Sequence, residues 1–111
     1  MKNPIALTVV AMVMSLSGDN GIAGDTATTW LHHCASCHGK NGKGDTPMGK
    51  KLGVKNYHDA TVQGAFSNAE MERAIKEGVN TNGKETMKPF GSKLSDADIK
   101  GLVAYIRSFK K

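Results

Sequence analysis

The chain has 111 residues, 39% of them hydrophobic and 5% aromatic, with 15 Lys and Arg against 10 Asp and Glu for a net charge of +5. That length holds one small domain and excludes a second. The positive balance comes without a nucleic-acid-binding motif or a platform of stacking aromatics, which excludes nucleic acid as its partner.

Met1-Lys2-Asn3 is a short positive start, and Ile5 to Leu16 (IALTVVAMVMSL) is apolar and uncharged. Small residues, Gly21 and Ala23, then stand at the −3 and −1 positions of a cleavage point. This is the layout of a secretory signal peptide over residues 1–23. The apolar run is about 12 residues, against the roughly 20 of a spanning helix, so an uncleaved anchor is the weaker reading. Cleavage after Ala23 leaves residues 24–111 as the single domain, exported and with no membrane span.

Three helices are expected in that domain. The first runs from about Thr26 to Ala35, with Asp25 as N-cap and Trp30, Leu31 and Cys34 on one face. The second begins at Ser67-Asn68-Ala69-Glu70, the S-x-x-E spacing of a capping box, and carries Met71, Ala74 and Ile75 to a stop at Gly78. The third begins at Ser95-Asp96-Ala97-Asp98. Ile99, Leu102, Val103, Ile106 and Phe109 form its apolar stripe, and Lys110-Lys111 suit the negative end of its dipole.

GKNGKGDTPMGKKLGVKNYHD joins the first two helices and VNTNGKETMKPFG the last two. Neither shows strand alternation, and irregular segments this long in so small a protein are expected to wrap something. GKNGKGDT is not a phosphate loop, because Asp45 follows Gly44 where Lys-Ser or Lys-Thr is required, and no strand precedes it.

Cys34-Ala35-Ser36-Cys37-His38 is C-x-x-C-H, the attachment signature of a c-type haem. Two thiols add across the haem vinyl groups, and the histidine directly after the second can place an imidazole nitrogen on the iron. Zinc would need four protein ligands, and the chain has no other cysteine. A redox disulfide would need a βαβ context, which is missing. A domain this small buries only about 60–65% of its unfolded surface, so a covalently held apolar cofactor also supplies missing core. His32 and His33 read as surface residues.

One histidine leaves the sixth position of the iron open, and what fills it separates electron transfer from ligand chemistry. The candidates are Met48, Met71, Met87, His32, His33 and His58. Met71 belongs to the apolar face of the second helix. Met48 stands close to His38 in a lysine-rich loop, a short span in which to cross to the other haem face. Met87 lies in KETMKPFGSKLSD, a loop stiffened by Pro89 just before the last helix.

With CASCH at the end of the first helix and Trp30 four residues before Cys34, the chain resembles the small bacterial class I cytochromes c. MKPF resembles their methionine loop, and LSDADIKGLVAYIRSF their C-terminal helix, Tyr105 included. The resemblance covers most of residues 26–109. It implies an all-α fold in which N- and C-terminal helices cross while a central helix and long loops wrap one haem. It implies thioethers at Cys34 and Cys37, iron ligation by His38 and Met87, and a Pro47 carbonyl that accepts the other ring N–H of His38. The chain departs from the family in Lys88, between Met87 and Pro89. It departs again in Thr26 or Ala27, where a glycine often lets the last helix pass, so Gly101 or Ala104 is expected to give the clearance.

The function implied is a periplasmic single-haem electron-transfer protein, a monomer and not an enzyme, that shuttles one electron between redox partner proteins. The alternative is a haem enzyme or gas-binding sensor with an exogenous sixth ligand; a third reading is a dedicated electron-acceptor subunit of one dehydrogenase. Lys40, Lys43, Lys50, Lys51 and Lys55 after the motif, and Lys84, Lys88 and Lys93 around Met87, point to an acidic partner.

Overall fold

The computed structural model describes residues 19–110, with side chains from Asp25 onward. The apolar segment of the expected signal peptide and Lys111 lie outside the described residues. Helix α1 spans Asp19–His33. No proline interrupts residues 19–25, and the helix runs through Asp25, which is therefore not its N-cap. Its carbonyl instead accepts the Thr29 hydroxyl at 3.0 Å. Leu31 is also off the expected face. It is 52% exposed while Trp30 is 1% exposed, because one helical step turns the side chain by about 100°. Trp30 and Cys34, four residues apart, do share a face: Trp30 lies in the core and Cys34 packs against it.

The later helices form where their caps place them. Helix α5, Asn68–Glu77, opens on a capping box: the Ser67 hydroxyl accepts the Glu70 amide at 3.0 Å, and the Glu70 carboxylate accepts the Ser67 amide at 2.8 Å. Helix α6, Asp96–Arg107, repeats this with Ser95 and Asp98. Gly78, at a φ of 81°, ends α5. Helix α6 packs against both α1 and α5. The core they enclose is Trp30, Met71, Ile75, Phe90, Ile99, Leu102, Val103 and Ile106, with Phe109 packed at its margin. Of the two residues expected to clear the crossing, Gly101 is half-buried and Ala104 is exposed, so Ala104 does not do so.

The segments between the helices are more ordered than their composition suggests. One short helix lies in the glycine-rich stretch, α3 (Pro47–Leu52), another directly follows that stretch, α4 (Ala60–Gly64), and α2 (Ala35–His38) is one turn after α1. A two-stranded antiparallel sheet, absent from the sequence reading, pairs β1 (Val79–Thr81) with β2 (Lys84–Met87). Its turn is Asn82-Gly83, both at positive φ (55° and 78°), the preferred chemistry for a two-residue hairpin.

Helix α4 is tied to α6 by polar groups. The buried Gln63 amide donates to the carbonyls of Tyr57 at 2.7 Å and Ile106 at 2.8 Å. Arg107 caps the arrangement, donating to Gln63 through its carbonyl and its side-chain oxygen, to Phe66 O and to Asn68 Oδ1. With both amide protons and the side-chain oxygen engaged, Gln63 is buried without the desolvation cost of an unpaired group.

Candidate haem site

The motif is wound into a single helical turn. Cys34 N–H donates to Trp30 O at 2.9 Å, His38 N–H to Cys34 O at 2.9 Å and Gly39 N–H to Ala35 O at 2.8 Å. Spacings of three and four residues on a helix share a face, so Cys34 is a neighbour of both Cys37 and His38 on this turn. Both cysteines are free thiols and half-buried. Burial, and next the neighbouring Cys37, push the Cys34 thiol up to about 12. A reactive redox dithiol needs the opposite, a thiolate favoured at neutral pH. Among the described residues no group of three or more His, Cys, Asp and Glu side chains gathers to hold a metal ion.

Two further elements fix the turn from outside. The Thr46 hydroxyl lies 2.8 Å from Ser36 O and 3.0 Å from Cys37 O, and accepts the Gly49 amide at 2.9 Å as the N-cap of α3. Gly49 lets α3 lie against the motif, since a Cβ there would stand 2.2 Å from Cys37 O. On the other side the Trp30 indole N–H donates to Gly39 O at 2.9 Å. Trp30, Tyr105 and Phe109 pack on one another with ring centroids 5.2–5.6 Å apart, contacts each adding about 0.5–1.5 kcal/mol beyond burial.

His38 sits among these rings. Tyr57 lies nearly parallel to it, 5.4 Å between centroids and 19° between planes, and Trp30 is tilted against it at 5.6 Å. Burial lowers its pKa, which favours the neutral imidazole a metal requires. Nδ1 is the one buried side-chain polar atom among the described residues without a hydrogen-bond partner. The hydrogen bond expected from this ring to the Pro47 carbonyl is therefore not made. Pro47 is the first residue of α3, and helix geometry aims its carbonyl along the axis at the amide four residues on. Thr46, beside it, is the residue that joins this loop to the motif.

Met87 closes β2 opposite Val79. It is half-buried and packs on the core cluster that Cys34 also borders. Its segment is docked onto the end of α5: Phe90 N–H donates to Ile75 O at 2.9 Å and Gly91 N–H to Lys76 O at 3.0 Å. Gly78 permits the approach, because a Cβ there would stand 2.7 Å from Met87 O. The other candidates for the sixth position are placed differently. Met71 is buried in the core, and Met48 is 46% exposed on α3. His58 Nε2 pairs with Asn41 O at 2.7 Å, and its ring stacks on Phe109. His32 and His33 are exposed, as expected of surface residues, and His33 lies edge-on to Phe90.

Residues 23–106 match the family described as cytochrome C oxidase, cbb3-type, subunit III. The chain belongs to the small class I c-type cytochromes. It is 38% identical over 107 residues to cytochrome c6 of a Picosynechococcus species, covering 92% of this chain and 87% of that protein. Cytochrome c-554(547) of Halothiobacillus neapolitanus is 33% identical over 91 residues, 79% of this chain and all of that one. The solved structure of the c-type cytochrome KustC0563 superposes with a TM-score of 0.70 at 36% identity, covering 78% of this chain and 98% of that chain. The mostly helical arrangement with its small hairpin is the fold of this cytochrome family.

The buried imidazole kept neutral, the two neighbouring thiols and the half-buried thioether at the core margin fit a haem c. Sequence reasoning missed Tyr57 and Thr46. Thr46 was visible as an N-capping residue directly before a proline. The contact of Tyr57 with His38 depends on a chain reversal and left no local mark.

Proposed function

We propose that this cytochrome is a single-haem electron carrier of the bacterial periplasm, passing one electron at a time between redox partner proteins. The observation that carries the reading is the single turn that makes Cys34 a neighbour of both Cys37 and His38. Cys34 and Cys37 would hold the haem through thioethers, and His38 and Met87 would ligate its iron. Bound there, haem supplies an iron that alternates between ferric and ferrous states. The protein's part is to keep His38 neutral by burial, to hold Met87 at the core margin through the docked hairpin, and to exclude water with Trp30 and the aromatics around it. A soft thioether favours ferrous iron, so Met87 would raise the potential relative to two nitrogen ligands.

The chain would enter the periplasm through a signal peptide over residues 1–23, leaving residues 24–111. Among the described residues no helix is long and apolar enough to cross a membrane. Lys40, Lys43, Lys50, Lys51 and Lys55 are exposed, as are Lys84, Lys88 and Lys93. They would steer a monomeric carrier toward an acidic partner, and electron-transfer rates to such a partner should fall as ionic strength rises. Rates independent of salt would count against steering.

The deciding experiment is the optical spectrum of the haem-loaded protein and of Met87→Ala. The parent should be low-spin with a weak far-red band in the ferric form, and should not bind carbon monoxide. Met87→Ala should turn high-spin and bind it, whereas Met87→His should stay low-spin at a lower potential. A parent that is already high-spin and binds carbon monoxide would make the protein a sensor or an enzyme instead.

A further inference from the structure

Nδ1 of the His38 ring is buried without a hydrogen-bond partner. Through Nδ1, therefore, the ring is oriented by packing and not by a hydrogen bond. Its two aromatic neighbours are unequal. Trp30 is tilted by 39° to the imidazole, and Tyr57 is within 19° of parallel. A nearly parallel neighbour opposes rotation most, since turning the imidazole drives its edge into the neighbour's face.

Tyr57 is itself held from both directions along the chain. Its N–H donates to Gly42 O at 2.8 Å, inside the loop that leaves the motif. Its carbonyl accepts the Gln63 amide at 2.7 Å, and the same amide reaches Ile106 O at 2.8 Å. Arg107 then holds Gln63 through two contacts to its oxygens. The residue stacked on His38 is thus fixed to helix α6 as well as to the motif loop.

We propose that Tyr57 is the positioning residue for the iron-binding imidazole, setting the plane in which His38 is presented to the haem by lying along its face. This rests on the reading above that His38 binds the iron. Groups that orient a metal-bound histidine ordinarily do so through its free ring N–H, and here the stacked ring takes that part. The plane of an axial imidazole selects the iron orbital that carries the unpaired electron of the ferric state. It therefore shows in the order of the paramagnetically shifted haem methyl resonances, a readout that fold stability alone does not move.

The test uses the haem-loaded protein and its Tyr57→Phe and Tyr57→Leu variants, compared by ferric proton NMR and by voltammetry. Tyr57→Phe keeps the aromatic face and should keep the parent order of methyl shifts. Tyr57→Leu removes it and should reorder them and displace the reduction potential. Tyr57→Leu with the parent order and potential would overturn the proposal, as would a reordered Tyr57→Phe. Should the leucine variant fail to fold, the ferrous parent still decides: nuclear Overhauser contacts between the Tyr57 and His38 rings support the proposal, and their absence overturns it. A parent in which no histidine resonance is shifted by the haem would overturn the ligation by His38 and this proposal together; shifted histidine resonances without those contacts would overturn this proposal alone.

Discussion

The segment that carries Cys34, Cys37 and His38 and the segment that carries Met87 are both short elements braced by neighbours, but they are braced by different means. Around the motif the bracing is dense. Thr46 and Gly49 of the α3 segment press on its backbone, Trp30 bonds to Gly39, and two aromatic rings contact His38. The Met87 segment is a hairpin whose strand residues are exposed except for Val79, Thr86 and Met87, which are half-buried. It is anchored at its base, where Gly78 meets the Met87 carbonyl and buried Phe90 docks on α5. Local stability follows buried contact, so the histidine side is the firm wall of the site and the methionine side the one that opens first.

Removing what both walls enclose should have the largest effect. The Cys34→Ala, Cys37→Ala chain made without haem is expected to lose most of its helix and its cooperative melt, because the haem completes a small core. Circular dichroism against temperature checks this, and a cooperative transition with native-like helix would show that the eight-residue aliphatic and aromatic core suffices.

The next test addresses the firm wall alone. Gly49→Ala puts a Cβ 2.2 Å from Cys37 O, a backbone atom that cannot swing aside. A loss of about 3 kcal/mol is expected, near the top of the usual range for overpacking, together with poor haem attachment. Urea denaturation of the holoprotein measures the first and its haem content the second. A near-neutral result would mean that α3 can move away from the motif.

On the methionine wall two glycines make an internal control. Gly78 and Gly83 have almost the same positive φ, 81° and 78°, but only Gly78 faces backbone atoms, Met87 O at 2.7 Å among them. Alanine at Gly83 meets the positive-φ penalty of about 1–2 kcal/mol, and alanine at Gly78 costs more, because its ψ of −179° puts it in a region essentially confined to glycine. Gly78→Ala should in addition displace Met87 and weaken the far-red band of the ferric spectrum, whereas Gly83→Ala should leave it intact. Equal spectra would show that the hairpin base does not set the methionine.

The smallest effect lies outside both walls, at the cap of α5. The Ser67 backbone amide, and next its hydroxyl, hold Glu70 below its ordinary value of 4.5. A depressed carboxylate adds stability that is present above the unfolded value and is lost as pH falls through the folded one. The cap should therefore weaken only below about pH 4.5. In Ser67→Ala the Glu70 titration followed by NMR should move up, and the site should be untouched.

Much of this protein is written locally. C-x-x-C-H, the two boxes at Ser67 and Ser95 and the apolar stripe of α6 depend on residues three or four apart, and a helical turn turns such spacing into shared geometry whatever the rest of the chain does. The Asn82-Gly83 hairpin was legible in the same way, but its strands are too short and polar to show alternation. The start of α1 was not, because an aspartate caps a helix only where the preceding residues leave it, and here they continue. Only the tertiary structure decided what touches His38. Tyr57 reaches it from a later loop, Gln63 bonds Tyr57 and is held in turn by Arg107 from the far end of the chain, and Gly49 is needed because another backbone passes where its Cβ would be. Such contacts arise from the way the chain folds back on itself, and side-chain periodicity holds no record of that path.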